Sequence, residues 1–314
     1  MSVPAPRSGL VVLALGIVYV VWGSTYLGIR VVVEDAPPMT SMGLRFTLAG
    51  LLLGAFVVVR RGGLKALDLS PRQMIGTAFL GLCLPLLGNG LVSVGEAKGA
   101  PSGFTALLIA IAPLIIVVFR LVERDVPRPA TLLGVALGFA GLTVLVLLGR
   151  GGGDFELFPA LIVLFAASCW AFGSYVQPRL WLPKDPFVVA VWEMVWGGLM
   201  MIALGQVSGE SFTFDYPAKT WFALSYLVVF GSVVAFTAYV WLVANAPISL
   251  VATYAYVNPV IAVFLGWLIL DEKITVPMVA GGAIVVAAVA LVISSERKPK
   301  VAAPELEPET VEIG

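Results

Sequence analysis

Long runs of apolar residues, separated by short polar segments, dominate the pattern along the chain. A bilayer core of roughly 30 Å requires about 20 apolar residues in a membrane-spanning helix. The pattern predicts ten such spans, at 10–32, 38–59, 73–94, 100–122, 129–149, 157–179, 186–206, 218–241, 248–270 and 276–294. The runs lack the alternation of a transmembrane barrel, and an unpaired backbone cannot face lipid. We therefore predict an all-α, polytopic membrane protein.

The composition supports this class and excludes several others. Of the 314 residues, 60% are hydrophobic and only 12% are charged, with a formal net charge of zero. This charge content is about half that of soluble proteins, which excludes a soluble enzyme, a basic nucleic-acid binder and a disordered chain. The chain has no histidine, so histidine-based zinc sites, haem ligation and Ser-His-Asp catalysis are excluded. Two cysteines in apolar segments, Cys83 and Cys169, make no disulfide framework, and we expect no metal and no cofactor.

Lysines and arginines are distributed unevenly between the two sides of the predicted bundle. With a cytoplasmic N-terminus, 13 of the 19 would lie inside and 5 outside, and Arg45 lies within the second span. The positive-inside rule then predicts that both termini are cytoplasmic. The acidic, proline-containing segment 295–314 is expected to be a disordered cytoplasmic tail.

Similar residues recur at a nearly constant separation in the two halves of the chain. Ala100-Pro101 recurs as Ala246-Pro247, and Pro113 recurs as Pro259, in both cases 146 residues later. Trp22 and Trp170, Pro38 and Pro186, and Arg45 and Glu193 are 148 residues apart. We predict two five-helix repeats, at 10–150 and 155–294. Because five is odd, the second repeat has inverted topology, which is the architecture of many secondary transporters.

Two ionisable residues lie deep within the predicted spans, namely Arg45 and Glu193. A charge in the membrane interior costs at least about 2.5 kcal/mol, so such residues face the interior of the bundle. Glu193 is a candidate for binding a proton or a cation, because burial disfavours the charged carboxylate; the alternative is a structural hydrogen bond or ion pair. Arg45 is a candidate anchor for an anionic substrate group; the alternative is a structural tie to backbone carbonyls or to an acid at a span end, such as Glu96.

Other polar and aromatic side chains within the spans complete the candidate site. The amides have several hydrogen-bonding positions to satisfy, and an aromatic-lined cavity suits amphiphilic, aromatic or cationic solutes. These further candidates are Trp22, Ser24, Tyr26, Asn89, Trp170, Tyr175, Trp192, Tyr254 and Asn258. For the two asparagines, a helix–helix hydrogen bond is the alternative role. Pro113 and Pro259 are either static kinks or gating hinges.

Several short motifs together resemble the drug/metabolite transporter superfamily, and specifically its EamA-type permeases. The resemblance rests on Trp22 to Tyr26 with Arg30, Pro37-Pro38, Leu44 to Phe46, Asn89, Ala100 to Gly103, Ala112-Pro113, Glu123, Trp170 to Ser174, Glu193-Met194, Pro247, Asn258 to Val260 and Asp271-Glu272. It covers essentially all of 10–294. The two repeats of the chain are not identical, since Arg45 in the first corresponds to Glu193 in the second.

The resemblance implies ten helices in inverted repeats, with helices one to four and six to nine around a central cavity and helices five and ten at the periphery. It also implies export or exchange of amino acids, metabolites or drugs by alternating access, in the cytoplasmic membrane. A channel, an uncoupled facilitator or a structural scaffold is the alternative; an intramembrane enzyme is disfavoured because it would need convergent acids or a Ser–Lys pair. Expected partners are a small-molecule substrate, the lipid bilayer and protons, but no nucleic acid. The sequence does not define an oligomeric state.

Overall fold

The computed structural model describes residues 8–148, 157–246, 251 and 253–295. Within these ranges the chain forms helices joined by short connections, and no strand occurs. Among the described residues, nine helices are long and apolar enough to cross a membrane, with mean hydropathies between 1.7 and 2.6. The predicted all-α, polytopic fold class is therefore confirmed. The linker at Gly151 to Gly153, Pro247 and the predicted tail from 296 onward lie outside the described residues.

The helices correspond one to one with the predicted spans. They are α1 (Gly9–Asp35), α2 (Pro38–Arg61), α3 (Pro71–Ala97), α4 (Ser102–Val122), α5 (Pro129–Leu148), α6 (Leu157–Arg179), α7 (Pro186–Val207), α8 (Ala218–Leu242), α9 (Tyr254–Leu270) and α10 (Val276–Ser295). The described part of α9 has 17 residues and is apolar but shorter than the others.

Local signals at the helix ends explain several of these boundaries. Proline occupies the first turn of α2, α3 and α7, where its missing N–H costs nothing. Ser70 and Gln73 form a capping box at the start of α3. Gly62 ends α2 in the left-handed conformation, with φ of 77°, which glycine adopts without steric cost. The connections are thus encoded locally, and the spans follow from hydrophobicity.

Successive helices run in opposite directions, so the connections alternate between two ends of the bundle. The terminal end is where α1 begins and α10 ends; the opposite end is called the far end. At the terminal end, Arg61 forms an ion pair with Asp185 at 2.5 Å, and Arg179 forms one with Glu123 at 2.6 Å. At the far end, Lys219 contacts Glu34 at 2.8 Å. These pairs join the first half of the chain to the second half.

Glycines bring two pairs of helices into close contact. In α2, Gly43 and Gly50 face Gly198 and Val195 of α7. In α5, Gly134 and Gly138 face Val292 and Ala288 of α10, while leucines elsewhere on α5 are exposed, as expected of a lipid-facing surface. These glycines therefore lie at helix–helix contacts, where a side chain would keep the helices apart.

We expect Gly198→Ala to destabilise the folded protein. An added Cβ would lie 2.6 Å from the backbone nitrogen of Thr47 and 2.8 Å from the carbonyl oxygen of Gly43, so α2 and α7 would have to separate. Overpacking of this kind costs about 1–3 kcal/mol. Thermal unfolding in detergent measures the loss. Gly16→Ala in α1 is the matched control, because a Cβ there meets nothing within 4 Å; equal melting temperatures for the two variants would contradict the prediction.

Two helices contain π-helical segments at equivalent positions of the two repeats. The segment Leu82–Gly90 lies within α3, and Leu227–Val234 lies within α8, 145 residues later. In α3 the segment contains Pro85, which packs against Gly197 of α7. A π-helical turn shifts the helix face and leaves irregular backbone bonding, and such turns often occur at functional sites. The sequence analysis did not predict either segment.

One sequence expectation requires correction. The hydropathy pattern ends the third span at residue 94 and leaves Glu193 as the sole acid well inside a span. In the structure α3 continues to Ala97, and the Glu96 side chain, near its end, is completely buried. The helix extends further than hydropathy indicates because its last turns, Leu91–Ala97, pack against α1, α2 and α6, which bury polar residues such as Ser93. Glu96 is therefore a second enclosed acid.

Candidate functional site

An aromatic cluster, formed by Trp22, Tyr239 and Tyr254, joins α1, α8 and α9. The ring of Trp22 lies 5.2 Å from the rings of both tyrosines, centroid to centroid, and the tyrosine rings are 5.9 Å apart. Trp22 and Tyr254 were predicted candidates. Tyr239 was missed, because it lies in an apolar run without a repeat-related partner.

The π-helical segment of α8 supplies polar contacts beside this cluster. The indole N–H of Trp22 donates to the backbone carbonyl oxygen of Gly231 at 3.2 Å. The hydroxyl of Ser232 donates to the carbonyl of Leu227, five residues earlier, at 3.0 Å. Gly231 and Ser232 are thus contact points for other helices, and the sequence analysis missed both.

Arg45 projects from α2 onto the same segment. Its side chain is buried, with Nε donating to the Ser232 hydroxyl at 3.1 Å. One terminal nitrogen lies 3.8 Å from the sulfur of Met42, and the guanidinium lies 4.7 Å from the ring centre of Phe46. Among the described residues it has no carboxylate partner, so the suggested tie to Glu96 is wrong. The charge is held at the bundle centre by neutral groups.

Glu193 lies on α7, in the half of the chain opposite to Arg45. Its side chain is partly buried and forms no hydrogen bond or ion pair with any residue that the structure describes. It lies within electrostatic reach of the Tyr239 hydroxyl. Ser232 and Tyr239, the neighbours of Arg45 and Glu193, are seven residues apart on α8, or about 10 Å along the helix at 1.5 Å per residue. Opposite charges thus border the aromatic cluster at two depths.

Three further candidates near the cluster have structural partners. With its amide nitrogen turned to donate, Asn258 reaches the carbonyl oxygens of Tyr19 and Tyr254, each at 3.3 Å. The Ser24 hydroxyl lies 2.6 Å from that of Tyr226 in α8. Tyr26 packs, partly buried, against an apolar core to which α1, α2, α3, α6, α7 and α8 contribute. Asn258 and Ser24 therefore join helices around the site.

The remaining candidates lie apart from the aromatic cluster. Trp170 packs against Gly88 in the π-helical segment of α3. Asn89, the next residue in that segment, is partly buried, and its side chain forms no hydrogen bond with the described residues. Trp192 donates to the carbonyl oxygen of Leu67 at 2.9 Å and stacks on Trp196. Tyr175 lies at the terminal end beneath Arg179.

The two candidate hinge prolines differ in their surroundings. The α-helical pattern of α4 is interrupted at Ala110 and Ile111, and Pro113 lies in the first turn that follows. Pro259 lies inside α9, which is continuous around it. Of these two helices, only α4 is interrupted next to its proline, as a kink would require. A role of either proline in gating stays a prediction.

The described residues contain no group of three or more histidine, cysteine, aspartate or glutamate side chains arranged to hold a metal ion. Cys83 and Cys169 are free thiols.

The fold and this central arrangement define a multi-pass membrane transporter class, in which spans carry charges facing the bundle interior. The profile of the EamA-like transporter family matches residues 9–147 and 157–294. The chain belongs to this family, which is part of the drug/metabolite transporter group that the sequence motifs resemble.

Similar proteins are named as transporters. The chain is 37% identical over 255 residues to the uncharacterized inner membrane transporter YedA of Escherichia coli, covering 81% of this chain and 80% of the relative. It is 24% identical to the uncharacterized transporter YvbV of Bacillus subtilis, covering 96% of each. A solved crystal structure with 20% identity superposes with a TM-score of 0.63 over 93% of this chain and all of the other chain, which supports the fold alone.

Proposed function

We propose that this protein is a secondary active transporter that exports small organic metabolites, amino acids or drug-like amphiphiles by alternating access. The observation that carries the proposal is the carboxyl group of Glu193, which has no hydrogen bond or ion pair with the described residues and lies within electrostatic reach of Tyr239 in the aromatic cluster. An unpaired acid beside aromatic faces suits a positively charged group attached to an apolar body. The transported solute leaves chemically unchanged, and no catalytic constellation is invoked.

Arg45 extends this specificity to solutes that also carry a negative charge. Its guanidinium is bonded through Nε to a neutral hydroxyl, so its charge remains uncompensated by the described side chains. The α8 residues nearest to the two charges, Ser232 and Tyr239, are separated by about 10 Å along the helix. The proposal therefore favours elongated solutes with an amine at one end and an acidic group at the other.

A proton gradient is the proposed driving force, with Glu193 as the coupling group. A carboxyl group in the bundle interior can hold either a proton or the cationic group of the solute, and exclusive binding of the two produces antiport. The inverted halves would rock around the site, with the π-helical segments and the break in α4 as the irregular elements that permit movement. The uneven distribution of lysine and arginine supports both termini in the cytoplasm and a location in the inner membrane.

Counterflow in proteoliposomes tests this function. A thermal-shift screen with amino acids and aromatic amines first selects a probe, since a ligand stabilises the state that it binds. Vesicles preloaded with the unlabelled probe are then expected to accumulate the labelled probe transiently and with saturation. Flux that neither saturates nor exchanges would indicate a channel, and absence of flux for every stabilising probe would indicate a scaffold; either result contradicts the proposal.

A further inference from the structure

Glu96, near the far end of α3, has an environment that the proposed central site does not explain. Its side chain has no solvent exposure, and neither carboxyl oxygen has a hydrogen-bond partner in the part of the chain that the structure describes. An isolated carboxylate in a protein interior carries a penalty of several kcal/mol unless a positive charge compensates it. The charged groups around Glu96 therefore decide whether its carboxyl group is ionised or holds a proton.

Two charged side chains outside α3 act electrostatically on Glu96. Arg30 of α1 acts on it electrostatically, but its Nη1 donates to the backbone carbonyl oxygen of Glu96 and not to the carboxyl group. Glu272, which follows α9, acts on it with the opposite sign. Tyr26 is a further titratable neighbour from α1, and Lys98 on the same segment lies over the ring of Phe158.

Glu272 already has partners for both of its carboxyl oxygens. They accept hydrogen bonds from the backbone N–H groups of Ser102, at 2.6 Å, and Gly103, at 3.0 Å. These bonds cap the first turn of α4, where a negative charge is favoured. Glu272 thus joins the second half of the chain to the first half.

The charges around Glu96 do not balance if Glu96 is ionised. One guanidinium, from Arg30, would face two carboxylates, and the Glu96 carboxylate would have no hydrogen-bond donor. A proton on Glu96 removes the excess negative charge and also the need of a carboxylate for a hydrogen-bond donor. When that proton leaves, repulsion between Glu96 and Glu272 would act between the ends of α3 and α9, across the boundary between the two repeats.

We propose that Glu96 is a proton-binding site that controls the far end of the bundle: protonated Glu96 permits the closed arrangement, and ionised Glu96 opens it. The proposal uses neither Glu193 nor a transported solute, so it goes beyond the proposed transport function and is tested without substrate.

Accessibility of an introduced cysteine at the far end tests this proposal. In a background with Cys83→Ala and Cys169→Ala, Ala100→Cys reports opening, because Ala100 is completely buried. Ala97→Cys, at an exposed position three residues away, corrects for the effect of pH on thiol reactivity. The measured quantity is the ratio of the two rates of modification by a charged methanethiosulfonate reagent.

With Glu96 present, we expect this ratio to rise roughly tenfold for each unit of pH until Glu96 is fully ionised, since opening is linked to the loss of one proton. With Glu96→Gln the ratio should stay low at every pH. Glu34→Gln is the matched control, because Glu34 is an exposed far-end acid paired with Lys219, and it should retain the pH dependence. A constant ratio with Glu96 present, or an unchanged rise with Glu96→Gln, overturns the proposal.

Carbodiimide labelling provides a second measurement that does not depend on the glutamine variant. Hydrophobic carbodiimides react with protonated carboxyl groups, and mass spectrometry of peptides locates the modified residue. We expect modification of Glu96 that declines as the pH rises over the same range as the change in accessibility. Modification that is absent at every pH would contradict a proton-binding Glu96.

Discussion

Glu193→Gln should abolish the response of transport to a pH gradient. Glutamine retains the size and hydrogen-bonding capacity of the protonated side chain but cannot exchange a proton. Because Glu193 has no hydrogen bond or ion pair with the described residues, the substitution breaks no observed tie between helices, and the protein should remain folded. The effect should therefore fall on coupling and on binding of the cationic group.

The expected size follows from the loss of a charged contact. A hydrogen bond to a charged group contributes about 1.5–3 kcal/mol, so the half-saturating concentration of a cationic probe should rise by roughly 10- to 150-fold. Uptake into proteoliposomes, measured with and without an imposed pH gradient, gives both quantities. The gradient should accelerate uptake with Glu193 and have no effect with the glutamine variant.

Asp68→Asn is the matched control for this experiment. Asp68 is an exposed acid in the connection between α2 and α3, outside the spans, so its neutralisation should leave coupling unchanged. Gradient-driven uptake that persists in Glu193→Gln would exclude Glu193 as the coupling group. Loss of coupling in both variants would show that the change in surface charge, and not the site, is responsible.

The sequence predicted the central charges because they are rare within apolar spans. Arg45 and Glu193 stand out against their neighbours, and the recurrence of residues in the two halves places them at equivalent positions. Trp22 emerged by the same reasoning, and the structure places it in the aromatic cluster. Span number and fold class followed from hydrophobicity, which depends on the bilayer and not on the details of packing.

The polar surface of α8 could not be predicted in this way. Gly231 and Ser232 contact Trp22 and Arg45 because the helix is π-helical there, and a regular 3.6-residue period assigns side chains to the wrong faces beyond such a turn. Trp192 was selected as an aromatic side chain within a span, but its N–H partner, the carbonyl of Leu67, lies in the connection after α2. Tertiary contacts of this kind have no local sequence signal.

Arg45→Met should selectively weaken binding of solutes that carry an acidic group. Methionine fills a similar apolar volume along the stem, and Ser232 keeps its hydrogen bond to the Leu227 carbonyl. The variant therefore removes the charge with limited disturbance of α8. For a solute with an amine and a carboxylate, the loss of a charged contact should raise the half-saturating concentration by roughly 10- to 150-fold.

A pair of matched probes separates this binding role from a purely structural role. The methyl ester of the same solute lacks the negative charge, so its half-saturating concentration should change little in Arg45→Met. If Arg45 only ties α2 to α8 through Ser232, both probes should weaken equally, and the melting temperature of the free protein should fall. Ser232→Ala provides the complementary variant, because it removes this tie and leaves the guanidinium in place. If Arg45 binds the acidic group, the half-saturating concentration of the acidic probe should rise in Arg45→Met and change much less in Ser232→Ala, because only the first variant removes the charge that the carboxylate meets.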